Sequence, residues 1–255
     1  CKVNQLSVPD HQFNPPSQNP VLVIILTLVT TLLGFTLVGP LIGFMVALPF
    51  YEGGLLELTE AIQDPLSSNA LKVPLFIMQG FATLVGLIIG PGLILYALRR
   101  SPSSLFHHQK GGLLPFILTA FIVILFTGFN SFFIEWNSTV DLPDLFNGFE
   151  KWAREKEDYA REVTTFLTHF DSTGQFVLAF IVIAVLPAIG EELVFRGLIQ
   201  NELIKSTRNA HISIWISAFL FSAIHMQFFG FVPRLFLGAL FGYLYYWSGN
   251  LSLAM

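Results

Sequence analysis

Two adjacent carboxylates and an arginine, Glu191-Glu192-x-x-x-Arg196, end a run that reads Phe180-Ile-Val-Ile-Ala-Val-Leu-Pro187-Ala-Ile-Gly190. Charged side chains in an apolar helix cost roughly 2.5–3.5 kcal/mol each near a membrane centre, so they need partners or a task. At about 100° per residue, Glu192 and Arg196 lie within about 40° of one another and can pair, acid first. Glu191 points about 140° away from Arg196 and has no such partner on its own helix. The spacing therefore predicts an orienting ion pair, Glu192 with Arg196, beside a working carboxylate, Glu191. The alternative is that all three sit at a water interface and do nothing, although Pro187 and Gly190 could kink the helix and open a wet cavity there.

A second candidate follows in the stretch Ile212-Ser213-Ile-Trp215-Ile-Ser217-Ala218-Phe219-Leu-Phe221-Ser222-Ala223-Ile224-His225. His225 lies roughly 20 Å of helix beyond the start of that stretch, deeper than an interface residue. Ala218, Ser222 and His225 form a small-residue stripe that lets another helix approach, and Gly238 and Gly242 have the GxxxG spacing of close helix packing. A packing histidine is the plainer reading of His225, and tilt or a later helix start is needed to bring it level with Glu191. His107, His108 and His211 are read as interfacial. No H-E-x-x-H, G-x-S-x-G or Walker pattern occurs, so the usual zinc, serine and nucleotide chemistries lack support.

The elements that must position these groups are membrane helices. Of 255 residues, 53% are hydrophobic and only 12% charged, and mean hydropathy is +0.66, whereas a soluble domain carries about twice that share of charge. Charge-free gaps at 11–51, 73–98, 111–134, 172–190, 209–233 and 235–255 are each long enough for a span of roughly 20 residues. The expected fold is an all-α polytopic bundle of about six spans, near 20–50, 73–98, 113–134, 175–198, 212–229 and 235–247. Gly34, Gly39, Pro40 and Gly43 predict a kink, or an interfacial piece, in the first of them.

Arg99, Arg100 and Lys110 place loop 99–112 in the cytoplasm, and the acidic loop 51–72 outside. Counting onward puts 135–174 outside and the loop near 199–211, with Lys205 and Arg208, inside. The segment from Glu135 to Asp171 holds 13 of the 30 charged residues. An amphipathic helix near 146–170 is expected there, with Phe146, Phe149, Ala153, Ala160, Val163, Leu167 and Phe170 on its apolar face. Asn137-Ser138-Thr139 fits a glycosylation acceptor. A net charge of −4 argues against nucleic acid as a partner, and the single cysteine, Cys1, forms no internal disulfide. Both ends look trimmed. The organisation expected is an N-terminal part, 1–174, and a core, 175–255, in one integrated membrane domain.

Glu191-Glu192-x-x-x-Arg196, then Phe221-x-x-x-His225, then Gly238, Gly242, Tyr246 and Gly249-Asn250-Leu251 together resemble the CPBP family of intramembrane proteases. That family includes the CAAX prenyl endopeptidases and bacterial relatives linked to bacteriocin processing or self-immunity. The resemblance covers about 175–255. It implies that Glu191 activates a water, that His225 positions it or moves its proton, and that Glu192, Arg196 and Phe221 support them. It also implies an oxyanion-holding His motif shortly after Met255. No cofactor is certain; zinc or another divalent metal, held by Glu191 and His225, stays open as an option.

The function expected is an endopeptidase cleaving a membrane-associated or prenylated substrate near the cytoplasmic membrane face, with membrane lipid as its surroundings. A catalytically silent scaffold or immunity protein, and a proton-coupled transporter using Glu191 and His225 as a relay, are the alternatives. A bacterial plasma membrane is the expected location.

Overall fold

The computed structural model describes residues 18–106 and 113–255; Cys1, His107, His108 and Lys110 lie outside them. Among the described residues there is no strand, and four helices are long and apolar enough to cross a membrane. These are α1 (Pro20–Phe50), α3 (Asn69–Ala97), α4 (Leu114–Ser138) and α6 (Thr173–Thr207). Between and after them come α2 (Gly54–Ala61), α5 (Asn147–Thr168), α7 (Ala210–Ala223) and α8 (Phe231–Ser248). The expected fifth span is shorter than its charge-free gap suggested. Its helix ends at Ala223, and residues 224–230 turn instead of continuing to 229.

Polar caps start the helices where the sequence offers them. The Asn19 side chain accepts from the Val21 amide with Pro20 at the first helical position, Ser172 accepts from Gln175 N, and Asn209 accepts from Ile212 N. Each satisfies a backbone donor that has no partner inside the helix. The α6–α7 turn is closed by Arg208 in the left-handed region, with φ 55°.

α1 does not break at its glycines and proline. A π-helical turn, Gly34–Val38, precedes Gly39-Pro40 and carries the helix through to Phe50. The same device precedes Pro91, at Leu84–Ile89, and Pro187, at Phe180–Val185. Proline has no N–H, and its ring crowds the carbonyl four residues back, so the wider turn takes up the misfit. The glycines are the seam to α3. A Cβ on Gly34 would stand 2.7 Å from Gly86 Cα, and one on Gly39 only 2.6 Å from Ala82 Cα.

The outward faces are apolar, as lipid requires: Ile117, Phe121, Ile124, Leu125 and Phe132 of α4 are exposed, while its buried residues are Asn130 and Asn137. Such inside-out patterning follows from a solvent that cannot satisfy polar groups. Asn137 is engaged on both sides of its amide. Its Nδ2 donates to Phe228 O at 3.3 Å and its Oδ1 accepts from Val232 N at 3.1 Å. At 3% exposure it is no glycan acceptor in this fold, whatever the motif suggests.

α5 forms over nearly the expected range and turns Ala153, Ala160, Val163 and Leu167 of the expected apolar face inward, with polar residues beside them and the terminal phenylalanines left out. Glu150, Ala153, Arg154, Glu157, Ala160, Val163, Phe166 and Leu167 face the protein, and Phe146, Phe149 and Phe170 stay exposed. Polar partners decide this. Arg154 donates to Glu150 and to the carbonyls of Ser138 and Val140, and its guanidinium lies 4.2 Å from the Phe229 ring centroid. The Leu142 N–H and the Arg154 guanidinium together hold the Glu150 carboxyl below the usual carboxylate range. The far end of α5 is pinned by Lys72, whose buried ammonium donates to His169 O at 2.7 Å and pairs with Asp171 at 3.2 Å.

Candidate active site

α6 and α7 form an antiparallel pair, and the length of α6 decides which residues meet. Glu191 lies sixteen residues before its end at Thr207, and His225 fifteen residues after Ala210. Both are therefore about 23 Å from the shared turn. Glu191 is not at a helix end, since α6 runs well past Leu198, and that removes the mismatch in depth. His225 Nε2 stands 3.9 Å from Glu191 Oε1.

Glu192 Oε1 and Arg196 Nη1 form the pair that their spacing predicts, at 2.8 Å. Both side chains are almost wholly covered, at 4% and 1% exposure, whereas Glu191 and His225 keep 27% and 28%. The contrast separates a buried structural pair from two groups that water and a substrate can reach. The Arg196 guanidinium also donates to Gly238 O at 2.8 Å and lies against the Phe221 ring, 4.9 Å from its centroid.

Phe221 is the hub of this packing. It meets Phe195 edge-on at 5.2 Å and His225 at 5.0 Å between centroids. Its carbonyl accepts from His225 Nδ1 at 2.7 Å. A carbonyl only accepts, so Nδ1 carries a proton, and when His225 is neutral the lone pair of Nε2 is left facing Glu191.

Gly238 and Gly242 let α8 approach. A Cβ on Gly238 would meet Ala218 Cα at 3.2 Å, and one on Gly242 would meet Ile214 Cγ2 at 2.8 Å and Gln200 Oε1 at 2.9 Å. The exposed carbonyls are then used: Gly242 O accepts from Gln200 Nε2 at 3.0 Å, one helical turn below the bond from Arg196 to Gly238. Glu192, Arg196 and Gln200 thus form a buried stripe at steps of four on α6, opposite the two glycines. His211 stays away from the site and pairs with Tyr243 Oη at 3.0 Å.

Arg234 joins the site without any sequence motif to mark it. It sits in the first turn of α8, where its guanidinium donates to Gln227 Oε1 and, at 3.4 Å, to Gly230 O. A Cβ on Gly230 would meet that guanidinium at 3.2 Å. Arg234 acts electrostatically on Glu191, on His225 and on Glu157 of α5. Glu157 in turn accepts from Phe229 N at 2.6 Å, in the turn that follows His225. Arg234 is the single charged residue after Arg208, set in an otherwise uncharged helix.

Among the described residues, no three His, Cys, Asp or Glu side chains gather to hold a metal. Glu191 and His225 supply two ligands, one fewer than a catalytic zinc takes from protein, so the residues described here do not fit a zinc centre. The location of α5 matters as well. Its charged inner face touches the turn beside His225, through the bond from Phe229 N to Glu157.

No solved structure matches the chain. An uncharacterized protein of Bacillus subtilis, YpbD, is 30% identical over 79 residues, a stretch covering 29% of this chain and 37% of that relative. Those 79 residues are therefore well under half the length of the curated relative. Residues 173–255, the stretch that carries Glu191, Glu192, Arg196, Phe221, His225, Gly238 and Gly242, match the family of type II CAAX prenyl endopeptidases, Rce1-like, in accord with the CPBP resemblance of the two motifs.

Proposed function

We propose that this integral membrane protein is an endopeptidase of the CAAX-protease kind, in which Glu191 is the general base and His225 holds the attacking water. The observation that carries the reading is the 3.9 Å gap between Glu191 Oε1 and His225 Nε2, both partly exposed. At that separation the groups do not bond directly, and both are acceptors. A water at hydrogen-bond distance from each would subtend about 90° between them, close to its own H–O–H angle, and could donate one proton to either.

With a peptide carbonyl in place, Glu191 takes a proton from that water and the oxygen attacks the carbonyl carbon. A C–O bond forms and the carbonyl becomes an oxyanion. When this intermediate collapses, the C–N bond breaks and the leaving nitrogen takes the proton from Glu191. The buried Glu192–Arg196 pair, fastened to Gly238 O and packed on Phe221, holds α6 against α7 and α8 so that the two working groups stay in register. A membrane-associated or prenylated peptide in a bacterial plasma membrane is the substrate setting this reading favours. Cleavage of membrane-anchored candidate peptides by the full-length protein tests it: Glu191→Gln and His225→Ala should each abolish turnover, and cleavage by both variants would overturn it.

A further inference from the structure

α5 carries three distinct faces. Glu150, Ala153, Arg154, Glu157 and Ala160 turn to the protein. Lys151, Glu155, Asp158 and Glu162 form an exposed charged strip. Beside that strip, Trp152 and Tyr159 are exposed by 44% and 46%, and Leu145, just before the helix, by 87%. Trp152 and Tyr159 are seven residues apart on α5, so they drift by only about 20° and make one stripe, about 90° round from the charged strip, with Leu145 in the turn that leads into it. Phe149, 44% exposed, widens it, and the exposed Lys156 lies between Phe149 and Trp152 on the helix surface.

We infer that this aromatic stripe is seated in the lipid headgroup region, making α5 an interfacial membrane helix that grips the turn beside the site with its inner face. Three observations favour lipid as the occupant. α5 follows within nine residues of Ser138, where one lipid-exposed apolar helix ends, and the next begins at Thr173, five residues after it. The helix is tied to the bundle at two points, by Arg154 to Ser138 O at 3.2 Å and, just past its C-terminus, by Lys72 to His169 O at 2.7 Å, so it stays beside the apolar helices. Trp and Tyr next to a charged strip are what the boundary between hydrocarbon and water selects, because their rings are amphipathic. The inference rests on α4 and α6 crossing the membrane and not on the catalytic reading.

Spin labels test it. On a Cys1→Ser background, with any cysteine outside these 255 residues also replaced by serine, single cysteines replace Trp152, Glu155, Asp158 or Tyr159 in full-length protein in nanodiscs of phosphatidylcholine and phosphatidylglycerol. Labels at 152 and 159 should be several-fold more accessible to oxygen and several-fold less accessible to a water-soluble nickel chelate than labels at 155 and 158. Equal nickel access at all four positions would put the stripe in water, and protection from both agents at 152 and 159 would put it against protein; either overturns the inference. A label-free check is quenching by brominated acyl chains, which should fall in Trp152→Phe and would be unchanged if Trp152 faced away from lipid.

Discussion

Arg196→Met removes one partner of an ion pair whose side chains are 1% and 4% exposed. The loss is not that of a surface bridge. Breaking a buried pair leaves the other charge uncompensated, at about 3–5 kcal/mol, and here Gly238 O also loses its donor. For a chain of this size each kcal/mol moves the unfolding midpoint by about 2–4 °C, so a drop of roughly 6–20 °C is expected. The assay is thermal unfolding of purified protein in detergent, followed by circular dichroism and repeated for Glu192→Leu and for the double variant. Because the cost is that of an orphaned charge, the double variant should be more stable than either single one. A single variant within about 1 kcal/mol of wild type, or a double variant whose losses simply add, would refute the reasoning that this pair is buried and mutually dependent.

Glycine substitutions probe the two seams. Gly39→Ala forces a Cβ onto α3 backbone at 2.6 Å, whereas the Cβ of Gly242→Ala meets side-chain atoms of Ile214 and Gln200 at 2.8 and 2.9 Å. Both should destabilise by about 1–3 kcal/mol in the same unfolding assay, Gly39→Ala the more. Glu150 has a depressed carboxyl, so its contribution to folding is full above the ordinary carboxylate value and is lost as pH falls through the lowered one. Glu150→Gln should therefore flatten the acid side of the stability profile, and an unchanged profile would contradict the assignment. For sidedness, cysteines placed at Glu155 and at Ser103, both exposed, on the Cys1→Ser background should react with an impermeant thiol reagent from opposite sides of sealed vesicles. Reaction of both from one side would contradict the arrangement of α3 and α5.

The helical fold was legible in the spacing of charges, because lipid tolerates so few of them. The buried pair was legible because two opposite charges four residues apart in an apolar helix have little else to do. Gln200 was within reach by the same logic, as the third polar residue at a step of four, but an uncharged amide does not stand out against apolar neighbours. In the sequence Arg234 stands only as the boundary between two charge-free gaps. Its importance comes from the turn at 224–230, which folds α8 back toward Glu191, and no local pattern announces that turn. Periodicity finds Ala153, Ala160, Val163 and Leu167 on the inner face of α5 but not Glu157 beside them, because it assumes an apolar partner, and the partner of Glu157 is the polar Phe229 amide together with Arg234. The glycines of α1 read as breakers because their use, close approach to α3, depends on residues far along the chain.

The central claim is the division of labour between neighbouring carboxylates, and comparing Glu191→Gln with Glu192→Gln tests it most directly. Turnover of a membrane-anchored peptide and the unfolding midpoint should be measured on the same full-length preparations. Glu191→Gln should leave the midpoint within a few degrees of wild type and abolish cleavage, while Glu192→Gln should lower the midpoint. Cleavage surviving in Glu191→Gln, with the protein folded, would contradict the account.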